Sequence, residues 1–271
     1  MTGFGGRASN VKAMEFITVE AKDRITTITL NRPEVMNALN PSMHAELQEA
    51  FDEFVSDSYQ YICVVTGAGD RAFCAGSDLK AAVTNGHRGY PKDGYAGLIE
   101  RFDCPKPIIA AVNGVALGGG FEVALACDII IASESASFGL PEPLVGAVAL
   151  GGGVHRLARQ IGLKQAMGMI LTSKRVSAAE GLRLGFINEV VPAADLMTAV
   201  ARFCNEILKA SPMSIRASKE TVMRGLDESG VAEAMRNQSG YPAFAQWQRS
   251  DDAKEGPLAF AEKRPPNWSG R

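Results

Sequence analysis

Two glycine-marked segments and two isolated glutamates are the places in this 271-residue sequence where chemistry could reside. The first segment is Ala72-Phe73-Cys74-Ala75-Gly76-Ser77-Asp78-Leu79-Lys80. The second is Asn113-Gly114-Val115-Ala116-Leu117-Gly118-Gly119-Gly120-Phe121-Glu122. Each places glycine at an expected strand end, ahead of an expected helix. Without a Cβ the backbone can approach a ligand closely there and adopt positive φ. An N–H at a helix start has no intrahelical partner and carries the positive end of the dipole. Two such N–H groups, one per segment, can grip one carbonyl oxygen and stabilise negative charge developing on it. Either segment alone reads more simply as a tight turn. Two of them, each followed closely by an acidic residue, favour a site.

Glu122 stands two residues after Gly120 in an otherwise apolar run, where an unpaired carboxylate is costly. A capping or ion-pair role is the plainer alternative. Glu142, in Phe138-Gly139-Leu140-Pro141-Glu142-Pro143-Leu144, is stiffened by a proline on each side. By itself it reads as a loop surface residue. Facing one water, the two carboxyls would suit general acid–base work, with pKa values belonging to the pair. Other chemistry has weaker support. Gly67-x-Gly69-x-x-Ala72 loosely fits a dinucleotide fingerprint, but residues 73–76 read as more loop, not helix. No His/Cys cluster has metal-ligand spacing, no Gly-x-Ser-x-Gly elbow occurs, and Ser77 has no His nearby in sequence. Tyr241, Phe244 and Trp247 recur at helical spacing and read as packing.

The elements that must position these residues alternate up to about residue 192. Residues 16–20 and 25–30 are short β-branched runs that read as a hairpin, and Asn31-Arg32-Pro33 breaks the second. Ser42 can cap a helix running to about Phe54. Residues 61–66 form a buried-type strand, and Gly67-Ala68-Gly69-Asp70 turns the chain. Further strands are expected at 107–112 and 128–132, with a buried helix at 121–126 between them. Ser177-x-x-Glu180 is a capping box whose helix ends at Gly185. Residues 186–191 read as a strand stopped by Pro192. Beyond it, residues 194–210, 214–225 and 230–248 carry helical spacing, and 254–271 read as a polar tail. The pattern implies an α/β core over residues 1–192 and a helical C-terminal lobe over 193–271.

Composition supports a folded globular chain: 46% of residues are hydrophobic, and the formal net charge is -2. Neither a nucleic-acid nor a membrane surface is indicated. The five Cys lie in apolar stretches without a CxxC pair, which fits a reduced intracellular protein with buried thiols. Residues 1–12 are polar and Gly-rich, without the apolar core of a secretory signal. The chain is expected to be cytoplasmic, or the mature form of an organelle protein.

Several stretches, in order, resemble the crotonase (enoyl-CoA hydratase/isomerase) superfamily across roughly residues 16–271. They are Asn31-Arg32-Pro33 with Asn37-Ala38-Leu39, AFCAGSDLK at 72–80, KPIIAAVNGVALGGGFEVALACD at 106–128, FGLPE at 138–142, and EGPLAFAEKRPPNWSGR at 255–271. The resemblance implies a spiral of ββα turns, a helical C-terminal lobe, and assembly as a homotrimer or dimer of trimers. It implies an oxyanion hole of the Ser77 and Gly119 N–H groups. Glu122 would orient and deprotonate water, and Glu142 would protonate the α-carbon of a 2-enoyl-CoA thioester. Ala75, Ser77, Asp78, Leu79 and Lys80 would line the CoA pocket with Gly119, and Phe260 and Lys263 would help complete it. The polar, Gly-rich stretch 85–97 would edge the acyl pocket. No cofactor or metal is implied beyond the CoA carried by the substrate. Ser77 stands where Ala is common, Ala149 where Pro is frequent, and Gly151 extends the glycine pair that follows. The carnitinyl-CoA subgroup is especially similar in FEVALA and the tail. Enoyl-CoA isomerase and acyl-CoA hydrolase activities share the same scaffold and remain alternatives.

Overall fold

The computed structural model describes residues 9–80 and 89–271, and it divides into two compact units. One contains residues 1–102 and 108–201, the other 103–107 and 202–271. Residues 1–8, and residues 85–88 of the stretch expected at the acyl pocket, lie outside the described part.

The first unit opens with β1 (Asn10–Ala13), β2 (Ile17–Lys22) and β3 (Ile25–Leu30), paired antiparallel. The expected hairpin turns at Asp23 and Arg24, both at positive φ. Helix α1 (Pro41–Ser56) is capped by Asn40, whose side chain accepts from Met43 N at 2.8 Å. Ser42, the expected cap, lies inside the helix. Pro41 takes the first helical position, where its missing N–H costs nothing.

Next come β4 (Ile62–Gly67), β5 (Ala72–Cys74), β6 (Ile108–Val112), β7 (Val115–Leu117), α2 (Gly119–Ala126), β8 (Ile129–Ser133) and β9 (Ser137–Gly139). They are followed by α3 (Gly153–Ile161), α4 (Leu163–Thr172), β10 (Val176–Ser177), α5 (Ala178–Leu184) and β11 (Glu189–Val191). Strands β3, β4, β6, β8 and β11 are parallel neighbours, completing a seven-stranded sheet ordered β1-β2-β3-β4-β6-β8-β11. Strands β4 and β6 are almost wholly buried, which explains their nearly continuous apolar runs. A second sheet, ordered β10-β9-β7-β5, consists of strands of two or three residues. Gly67 leads into β5 rather than a helix, so the loose dinucleotide pattern has no phosphate-binding turn.

Phe121 of α2, Phe138 of β9 and Phe186 form a ring cluster with centroids 5.2–5.4 Å apart. Phe186 and Ile187 serve this core rather than a ladder, so β11 is shorter than the expected strand. Ser177 caps α5 by accepting from Glu180 N. Glu180 pairs with Arg183. Gly185 ends that helix at φ 96°.

Helix α6 (Leu196–Lys209) leads into the second unit, which holds α7 (Pro212–Gly225), α8 (Val231–Asn237), α9 (Pro242–Arg249) and α10 (Asp251–Ala261). The segment expected to be helical over 230–248 is interrupted before Pro242, which restarts it. Most of the expected polar tail is helix α10 and a return strap. Buried Asp252 accepts from Ser211 Oγ, Ser269 N and Gly270 N at 2.8–3.2 Å. Trp268 donates to Lys209 O. Arg264 grips both Glu255 oxygens and holds that carboxyl down to about 2.

Candidate active site

The two glycine-marked turns meet. After β5 the chain turns at Gly76, φ 92°. A Cβ there would sit 2.9 Å from Leu117 O and 3.2 Å from Gly119 N, so only glycine permits this approach. Leu39 N donates to Gly76 O and Asp78 N to Leu39 O, at 2.8 and 2.9 Å. This bridge brackets Ser77 and leaves its own N–H unspent. Gly118 donates to Gly139 O at 2.9 Å, and Gly119 then opens α2. Its N–H is among the orphans of a helix start. Among the described residues, neither the Ser77 nor the Gly119 amide donates a hydrogen bond. Two free donors on adjacent turns can bind one oxygen and its developing charge.

Both glutamates reach this place. Glu122 lies in the first turn of α2 and is 4% exposed. Its Oε1 accepts from Gly153 N at 2.9 Å, and the Gly151 amide also donates to the carboxyl. A Cβ on Gly151 would lie 2.5 Å from Glu122 Oε2, and one on Gly153 2.9 Å from Oε1, so this glycine run is the seat of the carboxylate. Burial pushes the carboxyl up to about 7, opposed by Gly153 and reinforced by Glu142. Glu142 begins a short 3-10 turn after Pro141. A Cβ on Gly118 would fall 3.0 Å from its Oε1, which places the carboxyl against the Gly118–Gly120 turn. Its Oε2 is buried without a partner, and burial raises this carboxyl too. Glu122 thus has donors able to hold a charge, whereas one Glu142 oxygen has none. Burial raises both carboxyls, and the charge of Glu142 adds to the rise of Glu122.

The remaining expected residues divide between the units. Ala75 N donates to Met36 O at 3.0 Å, and Asp78 pairs with Arg32 at 3.0 Å. Leu79 and Lys80 are exposed at the start of a helical turn. Phe260, 88% exposed, and Lys263, in the left-handed region, lie on and just after α10 in the second unit. Sequence reasoning missed an aromatic group. His44, Tyr90 and Tyr95 lie 4.5–5.3 Å apart between ring centroids, edge to face. Burial raises both tyrosines, the charge of Glu122 adds to it, and the Tyr95 ring lies against Gly119 at the start of α2. Burial lowers His44 to about 4, and its Nδ1 accepts from Ala96 N. The available signal was Gly94-Tyr95-Ala96-Gly97, an aromatic flanked by glycines at positive φ. Among the described residues, no group of acids, His and Cys could hold a metal, and no helix is long and apolar enough to cross a membrane.

Free amides on two touching turns thus lie beside the buried Glu122 carboxyl and the half-buried Glu142 carboxyl. The chain belongs to the enoyl-CoA hydratase/isomerase family, whose model matches residues 20–271, and it has the mixed α/β crotonase fold. The carnitinyl-CoA dehydratase of Proteus mirabilis is 42% identical over 254 residues, covering 91% of this chain and 95% of that protein. The carnitinyl-CoA dehydratase of Escherichia coli K12 is 43% identical with the same coverage. The crystal structure of an enoyl-CoA hydratase from Mycobacterium tuberculosis H37Rv superposes with a TM-score of 0.88 at 35% identity, covering 95% of this chain and all of that one.

Proposed function

We propose that the protein reversibly hydrates a 2-enoyl-CoA thioester to the 3-hydroxyacyl-CoA. The observation that carries this reading is one buried and one half-buried carboxyl beside two unspent backbone donors. The Ser77 and Gly119 N–H groups would bind the thioester oxygen and stabilise the enolate formed on it. Glu122, held by the Gly151 and Gly153 amides, would take a proton from water as the oxygen attacks C3. Glu142 would deliver a proton to C2. Dehydration is the same path reversed, with the proton exchanged between the two acids. Adding water changes no oxidation state overall, so these residues need no cofactor beyond the CoA of the substrate. Ala75, Asp78, Leu79 and Lys80 would border the CoA, with Phe260 and Lys263 contributing to its site in the assembled protein. A homotrimer or dimer of trimers in the cytoplasm, without nucleic-acid or membrane partners, is the assembly this reading carries.

A narrower reading is carnitinyl-CoA dehydration, favoured by the ring cluster near Glu122. The half-exposed Tyr90 ring, backed by the buried rings of His44 and Tyr95, suits an acyl chain bearing a quaternary ammonium. His44, lowered to about 4, is uncharged at neutral pH and does not repel such a group. Enoyl-CoA thioesters with alkyl and trimethylammonio chains, read by loss of conjugated-enoyl absorbance, test both readings. Glu122→Gln and Glu142→Gln should each slow the reaction by about 10²–10⁴-fold. Near-wild-type turnover in either variant on every thioester that reacts would refute the mechanism.

A further inference from the structure

We propose that Tyr95 supplies a third hydrogen-bond donor to the thioester oxygen, through its phenol O–H. The inference rests on the oxyanion site assigned to Ser77 and Gly119. Tyr95 is 3% exposed and begins the short turn Tyr95–Gly97. Two contacts fix its hydroxyl end. Ser77 Oγ lies 3.3 Å from Tyr95 Oη. On the other side, a Cβ built on Gly119 would overlap Tyr95 Cζ, Oη and Cε1. The phenol oxygen therefore lies against both residues whose amides are unspent. The T-shaped contact with His44, 4.5 Å between centroids, holds the ring there.

A proton count gives the phenol its role. The Ser77 and Tyr95 hydroxyls carry two protons, and the bond between them uses one. With Ser77 Oγ donating, the Tyr95 O–H has no acceptor among the described residues. Buried tyrosine hydroxyls ordinarily find a partner. A substrate oxygen between the Ser77 and Gly119 amides would be that partner. Burial, ahead of the neighbouring Cys74, raises the phenol well above its ordinary value, so it remains a donor at neutral pH.

The test reads oxyanion stabilisation at equilibrium, apart from water addition. Acetoacetyl-CoA, a 3-oxoacyl thioester, loses a C2 proton to a base. The electron pair of that C–H bond is shared between the 3-oxo oxygen and the thioester oxygen, and the enolate absorbs in the ultraviolet. Bound to the wild type, the enolate fraction should exceed that of the free thioester at the same pH. Tyr95→Phe should lower the bound enolate-to-keto ratio by about 10–100-fold, the worth of one hydrogen bond to a charged group. It should lower kcat similarly, with KM changed less. Ser77→Ala should lower the ratio less than Tyr95→Phe. Replacing Tyr95 by 3-fluorotyrosine keeps the ring in place with a more acidic donor, and it should raise the ratio even if Tyr95→Phe fails to fold. A wild type that does not favour the enolate sinks the oxyanion assignment itself. A wild type that does, with Tyr95→Phe equal to it, 3-fluorotyrosine without effect, or the reverse order of Tyr95→Phe and Ser77→Ala, overturns the role of Tyr95 alone.

Discussion

Glu122→Gln should make the protein more stable at alkaline pH while nearly abolishing turnover. The carboxyl rises from an ordinary 4.5 to about 7, chiefly through burial. Because the folded value is the higher one, the folded state binds the proton more tightly. Its favourable contribution is complete below pH 4.5 and is lost as pH rises through 7. Once both states are ionised, the folded chain carries a cost of about 3 kcal/mol, at about 1.4 kcal/mol per pKa unit. Glutamine matches the protonated acid in shape, keeps an acceptor for Gly153 N, and does not titrate. The variant should therefore gain about 3 kcal/mol at pH 8, but only about 1 kcal/mol at pH 5, where most unfolded chains have already ionised. Urea unfolding at both pH values, at one protein concentration, measures the difference as a shift in midpoint at constant slope. Turnover at pH 8 should fall by about 10²–10⁴-fold. An equal stability change at both pH values, or a loss at pH 8, would refute the premise that Glu122 is a strained buried acid.

Three further outcomes follow from the same geometry. Gly151→Ala places a methyl 2.5 Å from Glu122 Oε2 and should cost about 10²-fold in kcat with the fold retained by circular dichroism, as expected for a displacement of about 1 Å. Phe138→Ala removes one ring of the trio and should destabilise by about 3–5 kcal/mol in urea unfolding, with partial rescue by Phe138→Leu. Ser77→Ala preserves the backbone donor and should be milder in kcat than Gly119→Ala, whose methyl overlaps the Tyr95 phenol and should cost more than about tenfold. The opposite order would mean that the Ser77 side chain, not its amide, takes part in the chemistry.

Much of this arrangement could be read from sequence because its signals are local. The runs at 62–67, 108–112 and 129–133 are buried parallel strands, and such strands are nearly continuous apolar runs. Glycine spacing marks the two turns, the family resemblance picks the Ser77 and Gly119 amides within them, and the structure brings those turns into contact. The second sheet was missed, since strands of two or three residues carry no periodicity. Helix α10 was hidden by charged residues and Pro257. Arg264 of the tail has a structural use there, gripping Glu255. Motif similarity gives that region a part in CoA binding and in subunit assembly.

The acids show where local reading stops. Glu122 and Glu142 are twenty residues apart in sequence, and nothing local specifies that they share an electric field. Phe121 and Phe138 make that connection: one immediately precedes Glu122, the other lies four residues before Glu142, and both pack on Phe186. The ring trio fixes the backbone beneath each acid. The Gly151–Gly153 run then accommodates the Glu122 carboxylate with two amides, leaving no room for a side chain. Tyr95 covers Gly119 in the same manner. Glycines and aromatics read singly as turns and core therefore set the positions of the ionisable groups, and a substitution among the glycines should change turnover before it changes the fold.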